Sequence, residues 1–342
     1  MTRLTQAIKT LTRLTSLSTR VLADSPFTAT GLVQRPPSYT VPAFQNLGVA
    51  GYFGGGDDGA NISGIDKVTF PADTKTTLSA TLSSARNALA AMANSGVAGY
   101  FGGGADPSSI SGIDKVTFPA DTKTTLSATL STARFALASM ANSGTAGYFG
   151  GGNDGANISG IDKVTFPADT KTTLSATLST ARASLASMAN SGTAGYFGGG
   201  YDSARTNNID KVTFPADTKT TLSATLSNTV YVFAGMANSG TAGYFAGGEG
   251  GAPSFTNFSN IDKVTFPADT KTTLSATLTT GRLQLAGMAN SSIAGYFGGG
   301  SDGANISGID KVTFPADTKT TLSATLSTAR QKLAGMADSG VL

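Results

Sequence analysis

Few residue types in this chain of 342 residues are suited to covalent or redox chemistry, because it contains no Cys, no His and no Trp. Zinc sites of the Cys/His type, disulfide frameworks and Ser–His or Cys–His nucleophile pairs are thereby excluded. What remains is carboxylate, ammonium, guanidinium, phenol and hydroxyl, and most of it recurs at a fixed interval. An Ile-Asp-Lys tripeptide places its aspartate at Asp66, Asp114, Asp162, Asp210, Asp262 and Asp310, and Asp73 with Lys75 begins a second such series. Paired opposite charges can tune one another's proton affinity. A catalytic set, however, needs unlike groups converging on one point, so identical pairs in every copy point to structure. Neither catalytic residues nor a metal nor a cofactor is expected.

Glycine-rich stretches such as Gly54-Gly55-Gly56-Asp57-Asp58-Gly59 invite a phosphate-loop reading. That chemistry needs a helix opening directly after the glycines, and here an Ile-Asp-Lys strand follows. Asp57, Asp58 and Asn61 could offer oxygens to Ca²⁺, but their spacing is not that of a calcium loop and no Glu completes the set. A solvated turn explains the stretch better. Charge is sparse, at 13% of residues, about half the usual share. Residues 1–40 hold Arg3, Lys9, Arg13, Arg20 and Arg35 against Asp24, and the rest is nearly balanced with 19 basic and 20 acidic residues. The basic character belongs to an arm, so no nucleic-acid partner is expected. No apolar run reaches about 18 residues, so no membrane insertion is expected.

The elements that must position these groups are written six times. Gly-Tyr-Phe recurs with its tyrosine at Tyr52, Tyr100, Tyr148, Tyr196, Tyr244 and Tyr296. Counted from Gly51, the units are 48, 48, 48, 48, 52 and 48 residues long and end at Leu342. Each unit reads as four short strands. In the first these are Leu89–Asn94 (a), Ala98–Gly103 (b), Ile113–Phe118 (c) and Thr124–Leu130 (d). Strand d alternates Thr125, Ser127 and Thr129 against Leu126, Ala128 and Leu130, the period of a half-buried strand. Asn-Ser-Gly joins a to b as a hairpin signal, and Pro119-Ala120-Asp121-Thr122 is a turn by composition. Gly and Pro interrupt every window that could keep a helical period. Four-stranded units of this length predict an all-β, six-bladed β-propeller over 41–342, one blade per unit.

The blade resembles a kelch repeat, in its aromatic strand running into glycines (Tyr52-Phe53-Gly54-Gly55), its Ile65-Asp66-Lys67-Val68 strand, and an arginine before strand a (Arg86, Arg134, Arg182, Arg282, Arg330). It departs in lacking the outer Trp and in carrying Thr229-Val230 where Ala-Arg would stand. Copper oxidases on kelch propellers require Cys and His, so the resemblance carries no such activity here. The Gly-Tyr-Phe-Gly-Gly-Gly…Ile-Asp-Lys-Val…Ala-Arg…Leu-Ala pattern in near-identical tandem copies further resembles kelch-like repeat proteins of tailed bacteriophages, cyanophages included. That resemblance implies a virion structural protein, made in the host cytoplasm without a signal peptide.

Strand a has seven candidate copies for six blades. Residues 333–340 keep Arg330 and Met336 beside them and are expected to close blade one, with 41–48 as the alternative. Residues 1–40 differ in kind from the repeats. Leu4, Ile8, Leu11, Leu14, Leu17 and Val21 form an apolar stripe at helical spacing. It predicts an N-terminal helical arm that docks to other virion proteins or forms a homo-oligomer, a trimer being favoured.

The copies differ in two places only, the b–c loop and the d–a junction, and in an up-and-down blade both lie on one face. The departures concentrate in neighbouring blades. Blade four's loop holds Tyr201, Arg205, Asn207 and Asn208, its exit holds Tyr231, and blade five's longer loop holds Glu249, Phe255 and Phe258. Such residues on loops make adaptable recognition surfaces, and flat aromatics suit sugar rings. The expected function is a non-enzymatic virion appendage, a tail fibre or spike, that meets a host-surface receptor such as a glycan. The alternatives are a capsid, collar or neck decoration protein, or a cellular kelch-type scaffold or lectin.

Overall fold

A computed structural model describes residues 50–251 and 255–338. Within them lie six four-stranded antiparallel sheets, one per unit, and a small hairpin at Ala105–Asp106 and Ser108–Ser109. In blade two the strands are Ala90–Asn94 (a), Ala98–Gly102 (b), Ile113–Thr117 (c) and Thr122–Thr125 (d). Each strand a packs against the a strands of both neighbouring blades, which closes the circle. The architecture is the six-bladed β-propeller that the repeats predict. Strand a of blade one is Ala334–Ala337, paired with Ala50–Gly54 from Gly51↔Ala337 to Gly54↔Ala334. The C-terminal copy therefore closes the ring. Residues 41–48 lie outside the described residues, as does the stripe of Leu4, Ile8, Leu11, Leu14, Leu17 and Val21 and with it the expected helical arm.

Strand d is shorter than its alternation suggests. It ends at Thr125, because Leu126 N–H donates to the Ile113 carbonyl and Leu130 N–H to that of Ser111, so the chain follows the loop ahead of strand c. Leu130 is buried and Leu126 half-buried, so the alternation reports burial rather than a ladder. In blade five the strand does run on, as Thr270–Thr277.

The recurring Gly-Tyr-Phe-Gly is a set of sockets between blades. A Cβ on Gly99 would lie 2.1 Å from Sδ of Met336 in the preceding blade, and one on Gly54 would lie 2.6 Å from the Phe101 ring of the next. The tyrosine between them stacks on the next blade's phenylalanine, Tyr52 on Phe118 at 5.0 Å between centroids. The axial end of the variable face is closed by backbone alone. Ala88, Ala136, Ser184, Val232, Gln284 and Lys332 all adopt φ between 52° and 57°. Each N–H donates to the carbonyl of the one before, at 2.6–2.9 Å, with Ala88 donating to Lys332 to complete the ring. Left-handed backbone is costly for residues with a Cβ, above all β-branched Val232, and the closed hydrogen-bond ring holds it in place.

Candidate functional site

The repeated charges are partnered in the seams between blades. Arg86, on the segment leaving blade one, donates to Asp114 of blade two at 2.9 Å, both side chains fully buried. Arg134–Asp162, Arg182–Asp210, Arg282–Asp310 and Arg330–Asp66 repeat the pair at 2.9–3.2 Å. Burial alone would raise the Asp114 carboxyl. The Ser83 N–H, the Thr125 hydroxyl and the Arg86 charge outweigh it and hold the group below the usual carboxylate range. The lysine of Ile-Asp-Lys serves a different seam, with Lys67 meeting Asp121 of blade two at 2.6 Å. The Tyr52 hydroxyl donates to the same carboxylate at 2.8 Å. Burial, and then that bond to Asp121, drives the Tyr52 phenol far above its ordinary range. The lysine–aspartate contacts recur in all six seams and the arginine–aspartate pairs in five.

On the other hand, the two variable positions of each unit meet directly. The first residue of each b–c loop bridges to a d–a junction residue: Asp57 to Gln331, Ala105 to Asn87, Asn153 to Phe135, Tyr201 to Ala183, Glu249 to Tyr231, and Ser301 to Leu283. Differences in each junction and in the loop that follows it therefore become one surface. Over blades three and four that surface forms a groove of about 430 Å³, lined by Phe135, Asn153, Asn157, Ser184, Tyr201 and Tyr231 among others. A basin of about 200 Å³ over the axis adjoins it, sharing Phe135, Ala136 and Ser184.

Beside the groove, Arg205 is layered between two rings, its guanidinium carbon 4.5 Å from the Tyr231 centroid and 5.2 Å from that of Phe255. It donates to Glu249, the one glutamate of the chain, at 2.8 Å. The Tyr231 hydroxyl also donates to Glu249, at 3.4 Å. Tyr201 and Tyr231 lie 6.1 Å apart at 46°. In blades one, three and six an asparagine occupies the place of Arg205 and reaches a backbone carbonyl of the next blade, as Asn157 does to Tyr201 at 2.9 Å. Arg205 and Glu249 are thus the side-chain version of a latch between blades. At the ends of this layered set, Tyr201 is 41% and Phe255 68% exposed.

Of the eight residues singled out in the sequence, Tyr201, Arg205, Tyr231, Glu249 and Phe255 form this one cluster. The other three do not join it. The Asn207 amide donates to the Leu226 carbonyl, and the Asn208 backbone N–H donates to the Thr206 hydroxyl. Phe258 stands where four other blades carry an isoleucine and blade four Thr206, and it packs against the core cluster of blades four and five. Phe135, Asn153, Asn157 and Ser184 were not singled out. Phe135 and Asn153 were legible as variable positions, whereas Asn157 matches Asn61 and Asn305 and only its setting beside the tyrosines distinguishes it. Compared with known proteins, no family model matches the chain, and no curated protein matches it.

Proposed function

We propose that this chain is a non-enzymatic recognition protein, a propeller that presents the aromatic groove of its variable face to a surface ligand. The observation that supports it is the gathering of Phe135, Tyr201 and Tyr231, three departures from the repeat drawn from two units, around one opening. Drift alone would scatter such residues around the ring. The sequence pattern's resemblance to kelch-like phage proteins extends the proposal to a virion appendage, a tail fibre or spike touching the host. In that setting residues 1–40 join it to other virion proteins.

The test exchanges the Tyr201–Asn208 and Glu249–Asn260 loops for the Asp57–Gly64 sequence in virions. Host adsorption is expected to fall at least about tenfold, a loss typical of removing several binding aromatics. Unchanged adsorption by intact, loop-exchanged particles would sink the recognition role and leave a decoration protein. Immunogold label against 41–342 is expected on tail appendages rather than on the head or collar.

A further inference from the structure

We propose that the groove between Phe135 and Tyr231 binds an uncharged saccharide, with a pyranose face laid on its aromatic wall; this rests on the recognition reading above. The lining chemistry is the first argument. Phe135, Tyr201 and Tyr231 supply rings, Asn153 and Asn157 amides, Ser184 a hydroxyl, and no lining side chain is charged at neutral pH. A pyranose presents C–H bonds on its faces and hydroxyls at its rim, so it asks for this combination. The volume of about 430 Å³ falls within the range of about 300–1,000 Å³ for small-molecule sites.

Hydrogen-bonding capacity remains in the groove. Asn153 Nδ2 donates to Asn157 Oδ1 at 3.0 Å and Asn157 Nδ2 to the Tyr201 carbonyl at 2.9 Å, which leaves each amide a second N–H. The side-chain hydroxyls of Tyr201 and Ser184 have no hydrogen-bond partner among the described residues. The wall is also preorganised. The Tyr231 ring is held by Arg205, its backbone is bridged to Glu249, and its successor Val232 is locked in the axial hydrogen-bond ring. An aromatic held this way loses little freedom on binding.

Charge decides between neutral and acidic sugars. Arg205, the cation beside the groove, is neutralised by Glu249 and covered by Phe255, so a carboxylate or sulfate finds no free partner there. Arg205 is a positioning residue that acts through Tyr231.

The full chain is screened against neutral hexose and N-acetylhexosamine oligosaccharides beside sialylated and uronic-acid ones, with calorimetry on the strongest. We expect a neutral oligosaccharide to bind with an affinity that added salt leaves unchanged. Tyr231→Ala is expected to weaken it at least about tenfold, and Phe135→Ala several-fold. Ala156→Trp, at an exposed loop position, fills the groove without touching the core and is expected to abolish binding even if Tyr231→Ala unfolds. Arg205→Ala should weaken binding and Arg205→Lys restore it at an unchanged melting temperature. Salt-sensitive binding of acidic sugars alone overturns the proposal. Failure of every sugar to bind, while loop-exchanged virions still lose adsorption, overturns the ligand class and leaves recognition standing.

Discussion

Five seams of the propeller contain a buried Arg–Asp pair, and the seam between blades four and five does not. There Val230 occupies the arginine position, Phe233 replaces a leucine and Phe258 an isoleucine. Asp262 remains, 3% exposed, accepting from the Ser227 N–H, the Ser227 hydroxyl and the Thr273 hydroxyl. Among the described residues its one ion-pair partner is Lys271 at 3.6 Å, whereas Asp114 is shared by Arg86 and Lys123. Losing the arginine therefore leaves charge balanced, and Phe233 against Phe245, 5.7 Å between centroids, fills much of the space. The a–b and b–c ladders of blades four and five keep the register of the other blades, and the c–d ladder of blade five is extended, with a register shift at Asn260/Asp262. A buried ion pair can be exchanged for apolar packing when the volume is refilled and no charge is stranded. The seam that departs from the repeat in this way also carries Tyr231, so the ring accommodates variation in its interior where its surface is specialised.

The comparison breaks most visibly if one partner is removed. Asp114→Ala strands the buried Arg86 guanidinium and is expected to cost about 3–5 kcal/mol in denaturant unfolding. Asp262→Ala strands no guanidinium, and its lost hydrogen bonds should cost about 1–2 kcal/mol. Equal losses at the two sites would mean that the arginine is not what separates the seams.

Transplanting the apolar seam sharpens the same point. Arg86→Val alone leaves a void and an under-partnered Asp114, costing about 2–4 kcal/mol. Adding Leu89→Phe and Ile110→Phe, which copy Phe233 and Phe258, should recover the unfolding free energy to within about 1 kcal/mol of the parent. No recovery would show that the fourth seam depends on further compensation.

A smaller effect lies in acid. The carboxyls of Asp66, Asp114, Asp210 and Asp310 resist burial through hydrogen bonds and arginine charge, and are held below their ordinary value. Groups depressed by folding contribute stability that is present above the unfolded value of about 4 and lost as pH falls through the lower folded values. Stability should therefore drop below about pH 4, and Asp114→Asn should make that drop shallower when unfolding is followed against pH. An unchanged slope would remove Asp114 from the acid response.

Much of the fold was legible because repetition amplified weak signals. One Gly-Tyr-Phe says little, while six in register specified the blade count, and Arg330 with Met336 identified the closing strand. Strand d was overextended because Leu126 and Leu130 are buried without staying on the ladder, and period-2 burial alone does not separate the two cases. The site was half legible. Tyr201, Tyr231 and Phe255 stood out as departures, but Asn157 matches Asn61 and Asn305 and becomes a groove wall only beside those tyrosines.

What the sequence determined by itself was the number of blades, the face that varies and the residue types available to it. What tertiary structure decided was which charges meet. Asp66 and Lys67 are neighbours in the chain and read as a pair, yet Asp66 bonds Arg330, 264 positions away, and Lys67 bonds Asp121 in the next blade. Successive residues of a strand point to opposite faces of the sheet. In a propeller those faces belong to two different seams, so a dipeptide repeated six times becomes two separate sets of contacts between blades.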